Sequence, residues 1–168
     1  MTPALEPYLA ARQRTALHEV SFGLRDLRLY GPAELDSAQL GFRDDGEGND
    51  LTGTSEGDWR PEWFVVAHEG VFGDPIFVDT SRPELPIYTA MHGEGDWVPE
   101  QIADSFDGFV AALMAVAAVS GGREHPVGLA AHPLSEAERA QTVLRVKVAN
   151  PNTDLGWWMA WLEEPEVD

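Results

Sequence analysis

The chain has 168 residues and contains no cysteine. This absence excludes disulfide bonds, thiolate nucleophiles and zinc sites built on cysteine. Long apolar runs are also missing, since the longest, FVAALMAVAAV, is far too short to cross a bilayer. The N-terminus shows no charged segment followed by an apolar one, which is the pattern that directs secretion. We therefore expect a soluble, cytoplasmic protein.

Basic residues are scarce in this sequence. It has 11 Lys and Arg against 29 Asp and Glu, which gives a formal net charge of −18. Such a charge repels phosphate backbones and anionic lipids, so we expect neither nucleic acid nor a membrane as partner. It attracts a basic protein and accelerates the encounter with it. Acidity also keeps proteins soluble, and taken alone this is the more ordinary explanation.

The acidic residues are concentrated in the stretch DDGEGNDLTGTSEGD, which contains no basic side chain. Its glycines and its lack of apolar periodicity predict a mobile, solvated loop. A calcium-binding loop that starts at Asp45 would place Glu47 and Glu56 at the third and twelfth positions. The glycine that such a loop needs at its sixth position is replaced by Asp50. We therefore favour a solvated acidic loop over a calcium site.

The remaining sequence predicts a single α+β domain over residues 1–168. Its sheet is expected to be central, mainly antiparallel and flanked by helices. Runs of β-branched and aromatic residues predict strands, and one of them, WFVVAHE, is apolar on both faces, as a central strand is. The predicted elements are an N-terminal helix LEPYLAARQRTALHEV, a strand FGLRDLRLY, a helical turn in GPAELDSAQLGF, and the strands WFVVAHE, PIFVD and PIYTAMH.

Two longer helices are predicted after these strands. In ADSFDGFVAALMAVAAVSGG, Ser105 is placed to cap the N-terminus, and an apolar stripe is expected to lie on the sheet. In PLSEAERAQTVLRVKVAN, Ser135 and Glu138 form a capping-box pattern. The later part of this segment, residues 142–148, alternates like a strand, so both helix and strand remain open. The expected stripe consists of Phe106, Phe109, Val110, Leu113, Met114 and Ala117.

The stretch FGDPIFVDTSRPELPIYTAMHGEGDW contains the residue types of a catalytic or metal site. On a strand, Asp74 and Asp79 would lie roughly 16 Å apart, with their side chains on opposite faces. Two carboxylates that act as an acid–base pair are roughly 5–9.5 Å apart. We conclude that these two residues do not act together.

Asp74 is nevertheless expected to lie close to His92. If TSRPEL closes a β-hairpin, Val78 falls opposite Ile87, and the ends of the two strands bring Asp74 and His92 together. Such a pair orients an imidazole but supplies no nucleophile, because Ser81 lies at the other end of the hairpin. We interpret the pair as a contact that closes a strand end, and a hydrolase that uses His92 and Asp74 is the lesser alternative.

Several stretches of the sequence resemble the SUKH superfamily. These are GLRDLRLYGPAELDSAQLGF, a loop rich in Gly and Asp, WFVVAHEGVFGDPIFVD, LPIYTAMHGEGDW and IADSFDGFVAAL. The most specific are GDPIFVD, which leads into a Pro-x-Tyr strand, and the SFxxF pattern at the start of the helix. The resemblance covers residues 22–119, and residues 135–164 form a helical, Trp-rich C-terminal extension. The Asn-Gly-Gly turn that many members carry near the N-terminus is absent.

The resemblance implies a domain that binds proteins and catalyses no reaction. The superfamily includes bacterial immunity proteins, which neutralise toxins, and fungal cell-wall-synthesis regulators of the Smi/Knr type. We expect an immunity protein that binds a secreted bacterial toxin, with a basic nuclease as one candidate. The alternative is an intracellular regulatory or scaffold protein of the same fold. Neither a metal nor an organic cofactor is expected.

Two acidic loops are the candidate surface for the partner, since binding residues concentrate on loops held by a rigid scaffold. The second of them, GEGDWVPE, surrounds a tryptophan with carboxylates. This tryptophan either anchors a partner or packs under the loop, and the sequence leaves both roles open. Trp157 and Trp161 share one helical face, for which packing is the favoured role. The candidate binding residues are Asp44, Asp45, Glu47, Asp50, Glu94, Asp96, Trp97 and Glu100.

Overall fold

Six strands form one antiparallel sheet in the computed structural model, which describes residues 3–163. Their order in the sheet is their order along the chain, and the sheet curls into a half-barrel. The expectation of a single α+β domain with an antiparallel sheet is confirmed. The strands are β1 (Glu19–Phe22), β2 (Arg25–Leu29), β3 (Trp63–Glu69), β4 (Pro75–Asp79), β5 (Ile87–Thr89) and β6 (Glu100–Ala103).

Six α-helices accompany the sheet within the same described residues, preceded by a 3-10 turn at Pro3–Leu5. Helix α3 contacts the two edge strands, β1 and β6, and also packs along α5. The curled sheet and the helices thereby enclose the main core. The helices are α1 (Glu6–Arg12), α2 (Leu35–Ala38), α3 (Phe106–Ser120), α4 (Pro126–Ala131), α5 (Glu136–Ala149) and α6 (Gly156–Trp161).

The N-terminal prediction was partly wrong. Helix α1 ends at Arg12, and the last residues of the predicted helix belong to β1. The predicted strand FGLRDLRLY is divided by Gly23, which has a positive φ of 60° and forms the turn between β1 and β2. A tight turn of this kind needs a left-handed residue, and glycine adopts that conformation without strain. Strand β6 was not predicted.

The N-terminal cap of α3 was predicted correctly, but the predicted apolar stripe was wrong in part. The Ser105 hydroxyl accepts a hydrogen bond from the Gly108 backbone at 3.0 Å. Met114, expected to lie on the sheet, is 58% exposed, whereas Ala112 and Val116 are buried. The reason is that α3 packs against α5 as well as the sheet, so its buried face is turned relative to the predicted stripe.

The ambiguity in residues 142–148 is resolved as helix, because all of them lie within α5. The capping box is present, with hydrogen bonds in both directions between Ser135 and Glu138. Thr142 and Val146 are the buried residues of α5, one turn apart. The predicted extension 135–164 packs against the main core through Val146 and the tryptophans of α6, and Glu164 lies outside the described residues.

A second core lies on the outer face of the sheet. It contains Trp59, Trp63 and Phe77, with ring centroids 4.7–5.6 Å apart. The long connection between β2 and β3 covers this face, and Trp59, which is 2% exposed, holds it there. Residues 44–58, predicted as a mobile loop, contain defined turns within this connection. The sequence pattern missed this packing because the anchoring tryptophan follows the acidic stretch.

Candidate functional site

The predicted contact between Asp74 and His92 is present. Phe77 pairs with Tyr88, as the predicted hairpin register requires, and the His92 Nδ1 lies 2.7 Å from the Asp74 Oδ1. The His92 backbone N–H donates to the same oxygen at 3.1 Å. This two-point contact closes the loop after β5 onto the turn before β4.

Neither the Ser81 hydroxyl nor the Thr89 hydroxyl is positioned to act as a nucleophile next to this pair. The Ser81 hydroxyl donates to the Asp79 Oδ1 at 2.6 Å, beyond the opposite end of β4. The Thr89 hydroxyl donates to the Pro75 carbonyl at 3.0 Å. Asp79 also accepts a hydrogen bond from the Ser81 backbone N–H at 2.9 Å, as Asp does in Asx turns.

Several carboxylates of the first acidic loop accept hydrogen bonds from backbone amides of the same loop. Asp45 accepts hydrogen bonds from the Glu47 and Asn49 amides and from the Asn49 side chain. The Asn49 side chain and these backbone amides keep the pKa of Asp45 below its usual value. Asp44 caps the Gly46 amide in the same manner at 3.0 Å. The two carboxylates thereby fold this stretch into a defined, negatively charged turn.

The two predicted acidic loops touch each other. The Trp97 backbone N–H donates to the Gly57 carbonyl at 2.8 Å, which ties the second loop to the first. The Trp97 side chain is half-buried and lies 5.1 Å from the ring of Trp59 and 5.5 Å from that of Phe42. It therefore packs on the outer core, and its removal would disturb the fold. Glu94, Asp96 and Glu100 are exposed.

A groove of about 710 Å³ lies at one end of the sheet, where the β3–β4 turn meets the β5–β6 loop. We call it the turn-end groove. Apolar and acidic side chains line it together. Its carboxylates are Glu69, Asp74, Glu94, Asp96 and Glu100. Its apolar side chains include Phe72, Ala90, Met91, Val98, Pro99 and Trp157.

Sequence reasoning found three of these carboxylates as binding candidates but missed the apolar residues. Phe72, Met91 and Val98 are exposed, and each lies in a turn or loop within two residues of a Gly or Pro. Large apolar residues are unusual in exposed turns, where polar residues normally dominate. That mismatch is the signal that could have drawn attention to them.

A partly buried ion pair lines the turn-end groove. Glu69 ends β3, its side chain is only 4% exposed, and the Arg25 Nη1 donates to its Oε1 at 3.2 Å. Burial raises the pKa of Glu69, Arg25 opposes this, and the charges of Asp74 and Asp26 raise the pKa further. Arg25 also lies over the Phe72 ring, 5.4 Å from its centroid. The single basic side chain that lines this groove in the described residues is thus already paired.

Comparison with known proteins gives no relative: no protein-family model, curated protein or solved structure matches the chain. Among residues 3–163, no three His, Asp or Glu side chains come together in a group that could hold a metal ion. In the same part of the chain, no helix has both the length and the apolar character needed to span a membrane.

Proposed function

We propose that this chain is a protein-binding domain of SUKH type that acts as an immunity protein for a basic toxin domain. The observation that carries the proposal is the junction of the two acidic loops through Trp97 and Gly57, which makes one acidic surface from separate parts of the chain. A surface of this kind captures a basic protein rapidly, because complementary fields steer the encounter. Neutralisation would take place in the cytoplasm.

The fold supports this proposal in two ways. An α+β domain with an antiparallel sheet is what the SUKH resemblance implies. The two stretches that carry most of the resemblance, GDPIFVD with its following strand and SFxxF, form the β4–β5 hairpin and the capped start of α3. Both are elements of the fold, which leaves the acidic loops free for a partner.

The test is co-expression with the protein encoded by the adjacent reading frame. We expect this neighbouring product to inhibit growth alone, and growth to recover when the chain is present and a complex co-purifies. No rescue and no complex would contradict the immunity function. A complex without toxicity would favour the regulatory or scaffold alternative.

A hydrolase that uses His92 is the candidate of a different class, and the 2.7 Å contact with Asp74 is the observation in its favour. The variant His92→Ala separates the two functions. We expect it to rescue growth as well as the wild type does, because the pair only closes a loop. Loss of rescue by a variant that keeps the wild-type circular dichroism spectrum and still binds the neighbouring product with the wild-type Kd would speak for chemistry at His92.

A further inference from the structure

The turn-end groove combines features of a docking site. In an antiparallel sheet whose order follows the chain, alternate connections lie at the same end. The β1–β2 turn, the β3–β4 turn and the β5–β6 loop therefore meet there. These three connections carry exposed large apolar side chains, and apolar clusters of this kind on a protein surface mark interaction sites. They are Leu24, Val71, Phe72, Met91 and Val98.

The charges of the groove specify the kind of occupant. Five carboxylates line it, and Arg25 is held by Glu69 and Phe72. An acidic ligand would be repelled, whereas Lys or Arg side chains would find Glu94, Asp96 and Glu100, which form no ion pair with any of residues 3–163. Apolar side chains of the same ligand would cover Met91 and Val98.

Two other occupants fit less well. A second copy related by two-fold symmetry would bring the same carboxylates against one another. An added strand at β6 would need the backbone groups of its free edge, but the Ile102 carbonyl already accepts from the Trp158 Nε1 at 2.7 Å. The occupant therefore lies across the turns rather than extending the sheet.

We propose that the turn-end groove binds a segment of a partner protein in which Lys or Arg side chains flank large apolar residues. This inference rests on the proposed function, since it assigns the partner's docking segment within it. It also shifts the apolar anchor of the interface from Trp97, which packs on the outer core, to Phe72, Met91 and Val98.

The chain offers matched controls for a test by substitution. Met91 is 64% exposed and Met114 58%, while Val98 is 75% exposed and Val148 73%. The first residue of each pair lies in the groove and the second on the α3–α5 face. We expect the double variant M91S/V98S to raise the Kd for the neighbouring toxin product at least about tenfold. The double variant M114S/V148S should change it less than about twofold.

The outcomes separate the two proposals. If the toxin product binds the wild type and both double variants equally, the groove is not the docking site, although the immunity function stands. If the toxin product does not bind the wild type, the immunity proposal fails and a synthetic peptide of alternating Lys and Leu tests the groove by itself. We then expect shifts of the Phe72, Met91 and Val98 amide NMR signals with this peptide, and none with a Glu–Leu peptide. If no signals shift, or if the shifts lie on the α3–α5 face instead, the groove is not a docking site.

Discussion

The Gln39 side chain forms hydrogen bonds with a part of β3 that is not paired with β2. Its side-chain Nε2 donates to the Val65 carbonyl, and its Oε1 accepts from the Val65 backbone N–H, both at 2.9 Å. Gln39 is buried, and the Val65 groups lie where β3 extends beyond its pairing with β2. One side-chain amide thus satisfies a backbone donor and a backbone acceptor that have no strand opposite them.

Replacement of Gln39 by Leu should lower the free energy of unfolding by roughly 2–4 kcal/mol, because two buried backbone groups of Val65 lose their partners. Urea denaturation measures this loss. Gln141→Leu is the matched control, since Gln141 is exposed on α5 and should tolerate the change within about 0.5 kcal/mol. Equal stability of Gln39→Leu and the wild type would show that this amide does not support β3.

The contact between helices α3 and α5 depends on a glycine. A Cβ atom at Gly108 would lie 2.5 Å from the Asn150 Oδ1 and 2.8 Å from the Ala149 carbonyl oxygen. Asn150 is fully buried and donates to the Gly108 carbonyl at 3.0 Å, so it has no room to withdraw. The two helix backbones approach closely because this position has no side chain.

We expect Gly108→Ala to destabilise the fold by about 1–3 kcal/mol through this overlap. The sign of this change in unfolding free energy is informative, because alanine within a helix is otherwise more stabilising than glycine by up to about 1 kcal/mol. Gly121→Ala is the control, since its φ is −55° and no atom would lie within 4 Å of the new Cβ. Thermal unfolding distinguishes the two variants, and a higher Tm for Gly108→Ala would contradict the close approach.

Asp104 joins the start of α3 to the segment after α5. Burial alone would raise its pKa, but the hydrogen bonds from Thr153 and from both nitrogens of Asn152 outweigh this and lower it. A lowered pKa in the folded state means that the ionised carboxylate stabilises the fold above the unfolded-state pKa. This stabilisation is lost as the pH falls through the folded-state pKa.

Asp104→Asn should therefore cost about 1–3 kcal/mol of unfolding free energy near neutral pH, the usual range for charged hydrogen bonds. The difference from the wild type should shrink as the pH falls from neutral through the folded-state pKa, below which the native carboxylate is protonated as well. Urea titrations across this range test the prediction. Asp107→Asn, at an exposed position in the first turn of α3, should show a much smaller difference at every pH. A difference at Asp104 that stays constant with pH would exclude the charge as its cause.

For the molecule as a whole, the rate of association should depend on where the charges lie as well as on the net charge. Neutralising four of the acidic residues in the first loop, as D44N/D45N/E47Q/D50N, should slow association with a basic partner and flatten its salt dependence. The control neutralises four exposed carboxylates elsewhere, as E6Q/E19Q/D36N/E136Q. Stopped-flow association rates at low and high salt compare the two. Equal effects of both variants would mean that only net charge steers the partner.

The sequence predicted those parts of the fold that depend on neighbouring residues. The hairpin that brings Asp74 to His92 followed from one turn, and the caps at Ser105 and Ser135 followed from local side-chain chemistry. Gln39 could not be found in this way, because its partner Val65 is distant in the chain. The turn-end groove was missed for the same reason, since its walls come from separate connections and only the strand order unites them.

The strand order has a further consequence, for the route by which the chain folds. Neighbouring strands along the chain are neighbours in the sheet, so most pairings close short loops, which favours rapid formation. The exception is α3, which must return to β1 from the far end of the sheet. We expect the β3–β4–β5 hairpins to gain amide protection before β1, because the contact of α3 with β1 closes a much longer loop than those hairpins do.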